Sequence, residues 1–505
     1  MTGSGPSGRP WADRVRTLAV APASLRVLVP AFLMLAFGIA LIADTYGIFN
    51  ATTDEPAHIA AGMEFLDRGE YTLERLHPPL ARLAVALGPY ADGVRSAGRG
   101  DVWSEGRHLL YEQGSYWRTL TLARLGTLPF FILAAALTAI WARGFGGPVA
   151  GLAAFAFFVT TPALLAHGGL ATTDMAFSSL FLAAVLAGIR WLQEGRASSA
   201  LLLGLSAGLA FMAKFSAGPF LLVGFAILVL VRWRIQRRHW TPMSLLEPRR
   251  RSQLAAAALV VLATVWAVHG FRWSEVPLRS DLTEALAEAG APVDGAAAES
   301  AVRTMVVPMF LSTVPDGLLA VLGYNAVGKE TFFFGEWRTQ GHPLFYPVTL
   351  AVKTPVPLLI LGLAGLGLLF RQGIRDRDWR PAAPAVFFSS VFVIAAASNL
   401  NYGVRHILPV IPLLCVGAGY GIARLWSTRH GVKRMAGVGL AAWQLMTPLA
   451  AHPDHLAYFN ALAGSRPERV LILGDLDWGQ DLERLAHVLD RLGVESFHLL
   501  YLGSA

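Results

Sequence analysis

About eleven apolar runs divide the 505-residue chain, and short loops join most of them. A run of roughly 20 apolar residues can cross a bilayer as a helix. In lipid, only helices and closed barrels satisfy every backbone polar group. The runs therefore predict a polytopic α-helical membrane protein. They lie at 25–45, 120–141, 148–165, 175–192, 200–212, 219–231, 254–270, 347–370, 383–397, 407–426 and 435–449. The chain is 54% hydrophobic and 15% charged, where a soluble domain carries about 25% charged residues.

The formal net charge of +8 would suit a nucleic-acid binder if the basic residues formed one patch. They are instead spread over alternate short loops. Arg143, Arg190 and Arg196 come first, followed by Arg232, Arg234, Arg237, Arg238, Arg249, Arg250 and Arg251. Arg371, Arg375, Arg377, Arg380, Arg429, Lys433 and Arg434 complete the set. Cytoplasmic loops are enriched in this way, so these loops and a polar tail at 1–24 are expected inside. The tail carries no cleavage site after a short apolar core, so it reads as a cytoplasmic tail and not as a signal peptide. The long loops 46–119 and 271–346 and the segment 451–505 then face outside. Cys415 is the single cysteine, which excludes a disulfide framework and a cysteine metal site.

The first outer loop is the most informative stretch. Thr52 or Thr53 can cap a helix, and Pro56 suits a first turn. Ile59, Met63 and Leu66 recur at helical spacing, which predicts an amphipathic helix on the membrane surface. Pro78-Pro79 breaks the chain, and Leu80, Leu83, Ala84 and Leu87 start a second apolar face. A cap preference explains Asp54 or Glu55 singly, but not an acidic pair beside a span and facing His77 and Arg82.

Asp54-Glu55 and the HPPLARL run at 77–83 resemble the first outer loop of the GT-C glycosyltransferases. The resembling branch is that of the protein O-mannosyltransferases and aminoarabinose transferases. It implies a GT-C fold and a multi-pass enzyme of a bacterial plasma membrane, with its site facing outside. It also implies a sugar donor linked to polyprenyl phosphate, membrane lipids as surroundings, and a protein, lipid or glycan acceptor. No nucleic-acid partner and no nucleotide cofactor are implied. A divalent cation, Mg or Mn, is a candidate cofactor.

The resemblance makes Asp54 the candidate catalytic carboxylate, with Glu55 beside it. A hydroxyl attacking an anomeric carbon loses a proton, so a positioned base helps. The leaving phosphate needs cations to hold its charge. Asp174 sits at the outer start of the fourth run, where a membrane-edge carboxylate is by default a functional candidate. Asp54 and Asp174 are the candidate metal ligands. The candidate substrate-binding residues are His77, Arg82, Lys214, His342, Lys353, Arg405 and His406. Charges such as Lys214 and Lys353 within apolar segments are costly unless paired or facing a polar cavity. Arg405, in the run NYGVRHILP, can bind a phosphate bidentately. Asp475-Leu-Asp477 is a D-x-D, which a turn and helix cap explain better than a nucleotide-sugar site.

The segment 451–505 reads as strand, helix and strand, with Val470 opening the first strand and Leu482, Leu485, Val488 and Leu489 on the helix. It suggests a small outer α/β domain that is either short or cut off. The rival from another class is a transporter or flippase of a lipid-linked substrate. That rival should show paired interrupted spans in two related halves, and the sequence shows no such symmetry.

Overall fold

The computed structural model describes residues 25–278, 303–499, 501 and 503. The tail 1–24 lies outside the described residues. The chain is mostly helix. α1 is Leu25–Asp44. Four short helices follow in the first loop: α2 (Glu55–Met63), α3 (Pro79–Ala91), α4 (Val102–Arg107) and α5 (Tyr116–Leu125). Then come α6 (Leu128–Val159), α7 (Pro162–Gly168), α8 (Asp174–Glu194), α9 (Ala197–Ala213), α10 (Ala217–Gln236) and α11 (Pro248–Val268).

Two small antiparallel pairs flank a helix in the next segment. β1 (Trp273–Leu278) pairs with β2 (Arg303–Pro308), Trp273 opposite Pro308. α12 (Phe310–Val327) follows, then β3 (Thr331–Phe333) paired with β4 (Glu336–Arg338). The last helices are α13 (Phe345–Lys353), α14 (Val356–Arg375), α15 (Ala383–Ala396), α16 (Val410–Trp426), α17 (Gly431–Ala451) and α18 (Leu482–Leu492).

Seven described segments are long and apolar enough to cross a membrane, and three apolar helices are shorter. The architecture is that of a multi-pass integral membrane protein. α6 holds two of the expected runs. Gly147, at φ +73°, is followed by Pro148, and Gly151 packs against Ala139 and Arg143. The chain doubles back there, a bend that a side-chain-free residue at positive φ allows.

α16 is the centre of the bundle, and every residue from Val410 to Gly421 is buried. Its glycines explain the depth. A Cβ on Gly419 would lie 2.3 Å from the Ala150 carbonyl oxygen, and one on Gly417 would lie 2.4 Å from that of Gly362. Small residues let helix backbones approach, which is how packing is won where the solvent is itself apolar. Gly204 and Gly208 do the same for α9 against α11, meeting Ala257 and Thr264.

The structure corrects three expectations. α2 is not an amphipathic surface helix: all nine of its residues are buried. Ala57, Ala60, Ala61 and Gly62 make it small all round, and a Cβ on Gly62 would lie 2.2 Å from the Arg82 carbonyl oxygen of α3. The 271–346 loop is not a plain polar loop, because α12 is apolar, with Leu311, Leu319, Leu322 and Val327 exposed. The expected β-α-β unit is missing from the tail among the described residues. Leu473 and Asp477 form only an isolated bridge there. Val470 and Leu471 are buried in the main core and so are not free to pair as a strand. The last expected strand runs partly outside the described residues.

Candidate active site

Three helix ends and one loop converge on a cavity of about 320 Å³. Asp54 stands just before α2. Its side chain makes no helix-capping hydrogen bond. It accepts one instead from Arg405 Nη1 at 2.5 Å, across 351 residues of sequence. Plain capping is therefore not what holds Asp54. Asp174, at the start of α8, accepts from Lys214 Nζ at 2.6 Å. Lys214 is the residue that ends α9.

The loop that carries Arg405 is braced from the tail. Gly403 has φ +78°, and a Cβ there would lie 2.5 Å from an Asp475 carboxylate oxygen. The Val404 N–H donates to Asp475 Oδ1 at 2.9 Å. The Arg405 guanidinium lies over the Trp478 ring, 4.3 Å from its centroid, and 5.1 Å from that of Tyr402. The Thr53 N–H donates to the Trp478 carbonyl oxygen at 2.9 Å, joining the tail to the first long loop beside Asp54. The D-x-D aspartates do structural work, as expected. Asp475 braces the loop, and Asp477 Oδ1 accepts from the Gly479 N–H at 2.8 Å.

Arg82 is fully buried in α3 and lines the cavity. It forms an ion pair with Glu74, and donates to Tyr71 Oη at 3.0 Å and to His58 Nδ1 at 3.2 Å. It also lies 3.3 Å from His77 Nδ1. With these partners it positions the two histidines. The Tyr346 hydroxyl donates to the Leu400 carbonyl oxygen and lies 2.8 Å from His406 Nδ1.

Charge at the cavity is strongly biased. Burial pushes the Asp54 carboxyl up, but Arg405, with His58 and His77, outweighs it and holds the group at about 2. Burial, then Lys214, lowers His77 to about 4. Burial and Lys214 also lower His406 to about 3. At neutral pH the site presents an ionised Asp54 and uncharged imidazoles.

Of the residues singled out from sequence, Asp54, Asp174, His77, Arg82, Lys214, Arg405 and His406 all line this cavity. Three do not. Glu55 is turned into the core, where Arg124 Nε and Nη2 each donate to it at 2.9 Å. The Thr52 and Ala171 N–H groups, each at 2.8 Å, occupy it further, so its oxygens face no substrate. His342 packs on Phe333, with ring centroids 5.0 Å apart, and its Nδ1 accepts from the Leu344 N–H at 3.2 Å. Lys353 donates to the Leu456 and Asp475 carbonyl oxygens at 2.7 and 2.5 Å and so ties α13 to the tail.

The sequence reading missed Trp103, Tyr324, Lys329 and Tyr402, which also line the cavity. They come from separate segments of the chain with no shared motif. Lys329 Nζ lies over the Tyr402 ring at 5.0 Å.

No curated protein matches the chain. A family model described as dolichyl-phosphate-mannose-protein mannosyltransferase matches residues 123–268. Solved structures match over most of the chain. The S. cerevisiae protein O-mannosyltransferase Pmt1-Pmt2 complex bound to the sugar donor gives a TM-score of 0.61 at 10% identity, covering 87% of this chain and 91% of that one. ArnT from Cupriavidus metallidurans bound to undecaprenyl phosphate gives a TM-score of 0.53 at 16% identity, covering 87% of this chain and 67% of that one.

The chain has the GT-C fold. Apo ArnT from the same organism gives a TM-score of 0.53 at 16% identity, covering 83% of this chain. The chain spans 65% of that protein's length. Within the GT-C fold of this chain, the family-model match runs from the end of α5 to α11 and so includes Asp174 and Lys214.

Proposed function

We propose that this protein is a glycosyltransferase that moves a sugar from a polyprenyl-phosphate donor to a hydroxyl acceptor. The observation that carries the reading is one cavity holding the ionised Asp54 together with the cations Arg405, Lys214 and Lys329. The fold of proteins solved with undecaprenyl phosphate and with a sugar donor supports it.

The acceptor oxygen bonds to the anomeric carbon. The bond from that carbon to the phosphate oxygen breaks, and the phosphate leaves with the electron pair. Asp54 takes the acceptor proton as general base. Arg405, Lys214 and Lys329 hold the charge of the leaving phosphate, with Arg405 able to do so bidentately. Before the donor arrives, Arg405 is held by Asp54 and Lys214 by Asp174. The arriving phosphate draws both cations away, which frees Asp54 to act as a base. His77, uncharged, is placed to hydrogen-bond the sugar.

Asp54 and Asp174 could each lend an oxygen to a divalent cation held together with the donor phosphate. Among the described residues no group of three His, Cys, Asp or Glu is arranged to hold a metal, so no step is routed through one. The reading places the cavity on the outer face of a bacterial plasma membrane, and the acceptor is a protein, a lipid or a glycan. Binding of a polyprenyl phosphate to the purified protein tests the phosphate assignment. Arg405→Gln and Lys214→Gln should each weaken binding about 10-fold or more. Unchanged binding in both would remove the cavity as the phosphate site.

A further inference from the structure

A second cavity, of about 300 Å³, lies far from the first. Its wall includes Trp191 and Leu192 of α8, Phe225 and Ala226 of α10, Leu245 and Leu254. Trp191 is 17 positions along α8 from Asp174, or about 26 Å of helix. The new cavity is thus at the other end of the bundle from the candidate active site.

All its lining residues are apolar, and the one indole N–H is already used. Trp191 Nε1 donates to Gln253 Oε1 at 2.9 Å. Such a space offers a water no partners and suits hydrocarbon. Leu254 at its edge is exposed, so the space reaches the bundle surface.

The rim has the opposite character. Arg232 Nη1 donates to the Leu192 carbonyl oxygen at 2.7 Å, and Arg250 Nη1 donates to that of Trp191 at 2.9 Å. The two guanidiniums are therefore hung on the very residues that form the wall. Arg232 lies over Trp240 at 4.2 Å and Trp379 at 5.1 Å, and Arg250 over Trp191 at 5.2 Å. Among the described residues neither arginine has a carboxylate in ion-pair range, and the buried Arg232 Nε has no hydrogen-bond partner. The stretch 232–251 holds seven arginines and a single carboxylate, Glu247. An uncompensated, half-buried charge is costly unless an anion neutralises it.

We infer that this cavity and its rim bind an anionic glycerophospholipid, with one acyl chain in the cavity and the headgroup phosphate on Arg232 and Arg250. Basic pockets between helices at a membrane face bind lipid headgroups, and tryptophans settle at that depth. A free phosphate would satisfy the arginines but leave the apolar space unexplained. The inference stands apart from the transfer reaction, which plays no part in its test.

Native mass spectrometry of the full-length protein, released from membranes and offered phosphatidylglycerol or phosphatidylcholine, reads the site. Phosphatidylglycerol should be retained about 10-fold better. The preference should vanish in Arg232→Gln with Arg250→Gln, checked for folding by thermal melting. Ala226→Phe keeps both arginines and fills the cavity, and it should also lose the lipid, so the test survives misfolding of the arginine variant. Equal retention of the two lipids, or a preference unchanged in both variants, overturns the inference. Displacement by inorganic phosphate would show an anion site without a lipid, and preferential displacement by polyprenyl phosphate would show a second donor site. Either result also overturns it.

Discussion

Asp54 can be ranked above its neighbours because its partner is known. A capping aspartate would spend its oxygens on the first turn of its own helix. This one spends them on Arg405, which lies in a different loop. Asp54→Asn keeps an oxygen for Arg405, so it should cost about 1–2 kcal/mol of stability. It should lower turnover about 100-fold or more if the carboxylate is the base. Glu70→Gln, at an exposed position of the same loop, serves as the control and should leave turnover unchanged. The comparison is turnover at matched amounts of folded protein.

The depressed Asp54 also predicts a pH signature. Its folded value, about 2, lies below the ordinary 3.8. The pairing with Arg405 therefore stabilises the fold above the ordinary value and is lost only as pH falls through about 2. Between pH 5 and 8 the free protein should show no titration of Asp54 in kcat/KM. Bound phosphate takes Arg405 and adds negative charge, both of which raise the Asp54 value. The acid limb of kcat should then lie at higher pH than that of kcat/KM, since the two report bound and free states. Coincident limbs would contradict the exchange of partners. The Asp54–Arg405 contact was not legible in the sequence, because the two residues lie 351 positions apart and meet only once the bundle is folded.

Among the elements, α2 shows how the acidic pair divides its labour. Asp54 faces the cavity and Glu55 faces the core. Burial raises the Glu55 carboxyl, but Arg124 outweighs it and leaves the group ionised. Glu55→Gln leaves the buried Arg124 without its counter-charge, which should cost about 3–5 kcal/mol. Thermal melting should fall steeply, while the turnover of whatever remains folded stays near wild type. A stable but inactive Glu55→Gln would return Glu55 to the chemistry. The helical spacing in α2 was legible, but its surroundings were not. Ile59 and Met63 mark a face, yet the alanines and Gly62 opposite them are small enough to be packed as well. Gly204 and Gly208, and Gly417 and Gly421, stand at small-xxx-small spacing, which packing between helices explains. Gly365→Val should destabilise α14 against α16 by about 1–3 kcal/mol, because a Cβ on Gly365 would lie 1.9 Å from the Gly417 carbonyl oxygen.

On the scale of the whole molecule, the apolar runs announced the helical membrane architecture, since few charged residues interrupt them. Most expected runs fall on helices, with boundaries moved by proline and glycine. The tail misled at its first expected strand, because Val470 and Leu471 pack into the bundle core instead of pairing. The proposed orientation has a direct check. Cysteines placed at Asp101 and Ser465 should react with an impermeant reagent added to intact cells, and one at Gln236 should not. Reaction at Gln236 from outside would invert the topology.

The central claim is that the cavity transfers sugar from a lipid phosphate. The most direct measurement offers the purified protein, in vesicles, a polyprenyl-phosphate sugar or the matching nucleotide sugar, and follows release of the leaving group. Polyprenyl phosphate should be released in the presence of a hydroxyl acceptor, with the rate falling about 100-fold or more in Asp54→Asn. Efficient use of the nucleotide sugar, or lipid-phosphate release that Asp54→Asn leaves untouched, would contradict the account.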